Sequence, residues 1–269
     1  MESQTEQAAA PAHITLKPPL WDDQDAFTVK VLRPSDFIHL MRNLNMNYVP
    51  RYIRNRYTSR DFFTWIPAFY FTGMRYPELW YLWRNPKWYD PKAGTIFLPK
   101  GYTKTSTART VYLSDAGKKV MDHFWDTRPL PGKADDKGSL SVQERRKANV
   151  LIGDALDGFA TAARFPVMEF GKKRIKHPIR DHEGNRVKDE NGKNKYDIEE
   201  RTLTTHGLTY RSFRTSWETL NVRLYPDRIQ WIALSQGHDE LTQLRHYLNQ
   251  GLDAEDLELG RPLTIGYMR

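Results

Sequence analysis

Residues 60–74, RDFFTWIPAFYFTGM, are apolar on most faces of a helix, and this stretch constrains the chain more than any other. A helix with no wet side has to be enclosed, so the remaining elements must build a shell around it. Pro67 inside it reads as a kink rather than a stop, and Gly73 as its end. With 269 residues, 39% of them hydrophobic, the chain can supply that shell. The rings of this run, with Trp80, Trp83 and Trp88 beyond it, therefore read as core rather than as a platform for stacking bases.

Other segments fall into place around it. Ser35 reads as the N-cap of a helix carrying Phe37, Ile38, Leu40, Met41 and Leu44 at helical spacing. Residues 95–98 (TIFL) and 107–113 (TARTVYL) are β-branched and aromatic, and the turn-rich PKGYTKTS between them predicts a hairpin with Lys100 and Lys104 at its tip. Residues 141–165 predict a long amphipathic helix with Val142, Leu151, Ile152, Leu156 and Phe159 on one face. The first 28 residues are polar and aperiodic and read as a tail. The main folded unit is placed at 29–250, with a basic insertion at 171–200 and a terminal segment at 251–269. No internal repeat is visible. The fold class that follows is mainly α with a small antiparallel β-sheet, α+β.

Charge points to the partner. There are 41 Lys and Arg against 33 Asp and Glu, and such a positive field attracts phosphate and releases its counterions. Nucleic acid is the first candidate and a membrane surface the second. RYIRNRYTSR (51–60) holds four arginines and no acid, and residues 171–195 hold nine Lys and Arg against four acids. Arg51, Arg54, Arg56, Lys172, Lys173 and Arg174 are the expected DNA contacts. The chain has no cysteine, which excludes disulfides, thiolate metal sites and cysteine nucleophiles. His177 and His182 fit no helix face and have no evident acid partner, so neither a metal nor a cofactor is expected. No run approaches the length of a membrane span, and a cytoplasmic, DNA-associated protein is the default expectation.

Four separated pieces carry chemistry. They are Gly73-Met74-Arg75-Tyr76-Pro77-Glu78, the hairpin-tip lysine in YTKTSTARTVYLS, Arg211 and Arg214 in TYRSFRTSW, and GHDELTQLRHY from Gly237 to Tyr247, which otherwise reads as helix. In order and spacing the chain resembles the tyrosine recombinases, the family of the phage integrases, Cre and Xer. The resemblance spans about residues 30–250, by motif order rather than overall identity. It implies a catalytic-domain fold of that family and a site-specific recombinase or integrase of a mobile element. Its substrate would be double-stranded DNA, on which it assembles as a dimer or tetramer.

The chemistry of such a site is consistent with these residue types. Breaking a phosphodiester without a metal requires cationic donors around the non-bridging oxygens, where charge builds as the nucleophile arrives. Arg75 and Arg214 suit that clamp, because planar guanidinium forks match phosphate. Tyr247 is the expected nucleophile, Lys104 the general acid, with Lys100 as competitor, and His238 a donor to the phosphate. Glu78 would fix Arg75 or its neighbours.

Two positions depart from the family. Arg211 stands where a histidine is expected, and a guanidinium cannot accept a proton. Arg211 can still donate to the phosphate, which leaves water, His206 or His238 to take the phenol proton. Only about 28 residues precede the expected catalytic unit, where the family usually has a helical DNA-clamping domain, so a minimal recombinase or a fragment is expected. The acidic, leucine-bearing segment 251–269 has the wrong sign for DNA and is expected to pack on a neighbouring protomer. Two other functions use the same residues: a topoisomerase-like relaxing enzyme with the same chemistry, and a catalytically silent DNA-binding relative.

Overall fold

The computed structural model describes residues 31–104, 106–237 and 252–264. Its helices are α1 (Pro34–Arg42), α2 (Arg51–Arg54), α3 (Ser59–Thr72), α4 (Tyr76–Arg84), α5 (Asp115–Asp122), α6 (Val142–Ala162), α7 (Tyr210–Leu224), α8 (Ile229–Gln236) and α9 (Ala254–Gly260). Strands β1 (Tyr89–Asp90), β2 (Thr95–Leu98) and β3 (Arg109–Tyr112) form one antiparallel sheet, and β4 (Met168–Pro178) and β5 (Tyr196–Thr205) form a separate two-stranded ribbon. The described chain is thus mainly helical with small antiparallel sheets, the α+β class that its periodicity predicts.

Helix α3 is the buried centre. Phe62, Trp65, Ile66, Phe69 and Tyr70 are all nearly inaccessible. Three surrounding helices reach it through rings: Phe37 of α1 stacks on Tyr70 at 3.8 Å, Phe159 of α6 meets Phe62 edge-on at 5.1 Å, and Tyr210 of α7 lies 6.0 Å from Phe69. Pro67 sits inside α3 without ending it. The helix stops at Gly73, whose φ of +59° is left-handed, and a Cβ there would lie 3.0 Å from the Gln236 side chain.

Three local expectations are corrected. Ser35 does not cap α1. Arg33 occupies that position, its N–H held by Asp36 Oδ2 at 3.1 Å, while Ser35 donates to Asp256 of α9 at 3.5 Å. Val142 begins α6 but is exposed, because the buried stripe starts at Ala148, two turns later. The third correction concerns repeats, since the tip of the β4–β5 ribbon contains one. Asp181 Oδ1 accepts from the N–H groups of Glu183 and Asn185, and Asp189 Oδ1 accepts from those of Asn191 and Lys193, all at 2.9 Å. Ile179–Arg186 and Val187–Asn194 are therefore two copies of one eight-residue turn, with Gly184 and Gly192 at matching places. A ring of three backbone bonds joins them: Ile179 donates to Lys195, Lys195 to Val187, and Val187 to Ile179.

Helix α9 packs against α1 and α7 of the same chain. Its buried face is Asp256 and Gly260, not its leucines. Gly260 lies so close to Leu220 and Pro34 that a Cβ would meet them at 2.5 and 2.9 Å.

Candidate active site

The site forms where three chain segments meet at the exit of α3. After Gly73 turns the backbone, Arg75 takes the N-cap of α4 and Glu78 closes the first turn, Oε2 accepting from the Arg75 N–H at 2.7 Å. Pro77 is pre-set for this turn by its fixed φ. Glu78 Oε1 also receives Arg75 Nη1 at 3.2 Å. From α7, the buried Arg214 donates Nη1 to the Gly73 carbonyl and Nη2 to the Gln236 carbonyl, each at 2.8 Å. Its Nη2 is also 2.9 Å from Glu218 Oε1, one turn further along the helix. The carboxyl end of α8 thus points its carbonyls at guanidinium groups, the favourable sense for a helix dipole.

A third arginine completes the cluster. Arg109 starts β3 on its inward face, alternating with buried Val111. Its Nη2 reaches Glu78 Oε2 at 2.7 Å and its Nη1 donates to the Ser235 carbonyl. Burial lowers its pKa to about 10; Glu78 opposes that shift, and Arg214 and Arg75 add to it by repulsion. It stays ionised at neutral pH. Arg75 is shifted downward as well, first by burial and then by Arg214, with Glu78 opposing. The three guanidinium groups therefore repel one another across a low-dielectric space that holds two carboxylates, Glu78 and Glu218. An anion arriving at this place relieves that repulsion. Arg75, with 20% of its side chain exposed against 4% for Arg109 and 9% for Arg214, is the member that faces solvent.

Sequence reasoning missed Arg109. The available signal was its phase: it shares the inward face of TARTVYL with Val111, and an arginine among core positions requires a buried carboxylate. Of the residues predicted for catalysis, Arg75, Glu78 and Arg214 come together. Lys104 lies exposed in the loop between β2 and β3, whose last pair, Leu98 with Arg109, borders the cluster. Arg211 is exposed on the first turn of α7, one turn before Arg214. Neither makes a hydrogen bond or ion pair among the described residues. His238 and Tyr247 lie outside the described residues; Gln236, whose carbonyl binds Arg214, precedes His238 by two positions.

His206 is removed as a candidate proton acceptor. It is buried, with Nε2 3.0 Å from Thr161 Oγ1 and Nδ1 2.9 Å from the Pro166 carbonyl, so both ring nitrogens are used in pinning α6 to the chain before α7. The expected DNA contacts Arg51, Arg54 and Arg56 are all exposed on and after α2. Lys172, Lys173 and Arg174 fall on β4, paired with Thr202, Arg201 and Glu200. Arg174 is bound to Glu200 at 3.1 Å. His177 and His182 sit beside Glu199 and Glu183 on the ribbon, and no group of three potential metal ligands occurs among the described residues.

No family model matches the chain, and no curated protein matches it significantly. Among solved structures it is similar to the Tn1549 transposon integrase in complex with transposon right end DNA, at 12% identity and a TM-score of 0.49, covering 89% of this chain and 68% of that one. It is also similar to the same integrase in complex with circular intermediate DNA, at 14% identity and a TM-score of 0.46, with the same coverage.

Proposed function

We propose that this chain is a DNA strand-breaking and rejoining enzyme, a site-specific recombinase or integrase that works through a covalent 3′-phosphotyrosine. The observation that carries this is the convergence of Arg75 and Arg214, far apart in sequence, on one partly buried cationic cluster at the end of α8. Those are the two arginines that the motif order assigns to the phosphate clamp.

In this account Arg75 and Arg214 hold the non-bridging oxygens of the scissile phosphate, where charge rises in the transition state. The Tyr247 oxygen attacks phosphorus in line, the P–O5′ bond breaks, and Lys104 delivers a proton to the departing 5′ oxygen. His238 and Arg211 supply further donors, and water or His238 takes the phenol proton. Glu78 is a positioning residue, fixing Arg75 at the head of α4 while neutralising Arg109 behind it. Because the phosphodiester energy is kept in the phosphotyrosine, the reverse attack by a 5′ hydroxyl reseals the strand without ATP. Arg51, Arg54, Arg56 and the basic ribbon would hold the flanking DNA, and protomers would pair on the two recombining sites.

A nicked suicide duplex tests the proposal, because loss of the short 5′ fragment prevents resealing. The expected result is a protein–DNA adduct that forms in EDTA, survives denaturation and disappears in Tyr247→Phe while DNA binding persists. An adduct that persists in Tyr247→Phe, or cleavage that strictly requires Mg²⁺, would overturn it.

A further inference from the structure

A second cationic site lies away from the arginine cluster. A cleft of about 430 Å³ opens between the residues following α2, the loop 128–133 and the amino-terminal half of α6. Tyr57, Leu130 and Leu151 are apolar members of its lining, the exposed Arg56, Arg128 and Lys133 form its rim, and Glu144 and Lys147 line it as well. The volume falls within the range of small-ligand pockets, about 300–1,000 Å³.

Its wall is tied down at four points. Asp61 Oδ1 accepts from the Arg128 N–H at 2.9 Å, and Glu144 Oε2 from the Lys133 N–H at 3.1 Å. Between them Tyr76 donates its hydroxyl to the Pro131 carbonyl, and Trp80 donates Nε1 to Gly132 at 3.2 Å. The cleft is thus set by the core itself, since Tyr76 and Trp80 are both fully buried members of α4.

Charge in the cleft is unbalanced. Among the described residues the side chains of Arg56, Arg128 and Lys133 form no ion pair, and the one carboxylate in the lining, Glu144, is matched by a fourth lining cation, Lys147, at 2.7 Å. The Tyr57 ring packs edge-on to Phe62 and Trp65, and its hydroxyl makes no hydrogen bond among the described residues. Three unpaired cations around a concave apolar floor suit a ligand with two ends, one anionic and one flat and apolar. A duplex backbone alone would contact the rim and leave the floor empty, whereas a base with its phosphate uses both.

We propose that this cleft binds a nucleoside phosphate, its phosphate among Arg56, Arg128 and Lys133 and its base against Tyr57, Leu130 and Leu151. The nucleotide is either free or an unpaired nucleotide of a DNA strand; the second source rests on the function proposed above, the first does not.

The test is fluorescence anisotropy on the full chain, with mant-labelled dAMP as probe and unlabelled dAMP, inorganic phosphate and a poly-glutamate peptide as competitors. A second arm compares a blunt duplex with the same duplex carrying one unpaired terminal nucleotide. The double variant Arg56→Ala/Arg128→Ala changes only exposed side chains, and its melting temperature checks its fold. Free-nucleotide binding that weakens about tenfold or more in the variant, the factor expected from losing one charge-assisted hydrogen bond, supports the free source. Tighter binding of the unpaired end, lost in the variant, supports the DNA-borne source. The proposal is overturned if neither arm binds, if phosphate or poly-glutamate competes as well as dAMP, or if the variant binds like the parent. The covalent-adduct assay reads the cluster around Arg75 and is scored separately, so its failure would remove only the DNA-borne source and leave free-nucleotide binding to be decided by the first arm.

Discussion

Glu78 is the carboxylate on which the arginine cluster turns, and replacing it by glutamine gives a quantitative test. Oε2 carries both 2.7 Å contacts, to the Arg75 N–H and to Arg109 Nη2, and Oε1 carries the 3.2 Å contact to Arg75 Nη1. An amide placed with its oxygen at the Oε2 position keeps two bonds in shape but loses the charge. Its NH₂ then faces Arg75 Nη1, donor against donor. Glu78 and Arg109 are both buried, so water cannot compensate. Breaking a buried ion pair from one side costs about 3–5 kcal/mol. For a chain of this size that corresponds to roughly 6–20 °C in melting temperature, at about 2–4 °C per kcal/mol. Denaturant titration of Glu78→Gln, Arg109→Met and the double variant completes a cycle. The double variant should be more stable than the sum of the singles predicts, by about 0.5–3 kcal/mol, because the second change removes the charge the first one stranded. Additivity within about 0.5 kcal/mol would refute the claim that these two groups balance each other.

Three further outcomes are expected. Gly158→Ala should destabilise by about 1–3 kcal/mol in thermal or chemical denaturation although alanine is the better helix former, because a Cβ would lie 2.6 Å from the Tyr48 carbonyl oxygen, a backbone atom that cannot swing aside. Burial holds the Asp36 pKa above its ordinary value despite Arg33, so its contribution to stability is full below the unfolded value of 3.8 and is lost as pH rises through the folded one; the melting-temperature difference between parent and Asp36→Asn should grow in favour of the parent on acidification, and a difference that shrinks would mean the ion pair dominates. Lys104→Ala should slow cleavage of ordinary DNA but be rescued on a 5′-bridging phosphorothiolate, whose sulfur leaves without a proton, while Lys100→Ala should need no rescue; equal behaviour of the two variants on both substrates would remove the acid role.

Elements with a strong local period were legible before any coordinates. The run 60–74 is the centre of the fold, and the 95–98 and 107–113 segments pair as a hairpin, because burial on one or all faces writes itself into consecutive residues. Arg75 with Glu78 was legible for the same reason, three residues apart across one helical turn. What escaped depends on distant partners. Arg109 is committed to Glu78 by folding, and nothing local to TARTVYL names that carboxylate. Ser35 looks like a cap but bonds to Asp256, which arrives from the other end of the chain. On α9 the buried face is Asp256 and Gly260, set by the close approach to Pro34 and Leu220, which lie far away in the sequence. The eight-residue turn repeat was hidden because only its Asp and Gly positions are constrained by the turn, and the intervening charges vary freely.

In the proposed mechanism Tyr247 becomes covalently joined to DNA through a phosphate held by Arg75 and Arg214. Mass spectrometry of the adduct trapped on a nicked duplex, after digestion of protein and DNA, measures this directly. The account predicts a peptide containing Tyr247 that carries a nucleotide through its 3′ phosphate, with the 5′ end of the other fragment released as a free hydroxyl, and no such peptide from Arg75→Ala or Arg214→Ala. A nucleotide on any other residue, a 5′-phosphate linkage, or undiminished adduct in both arginine variants would contradict it.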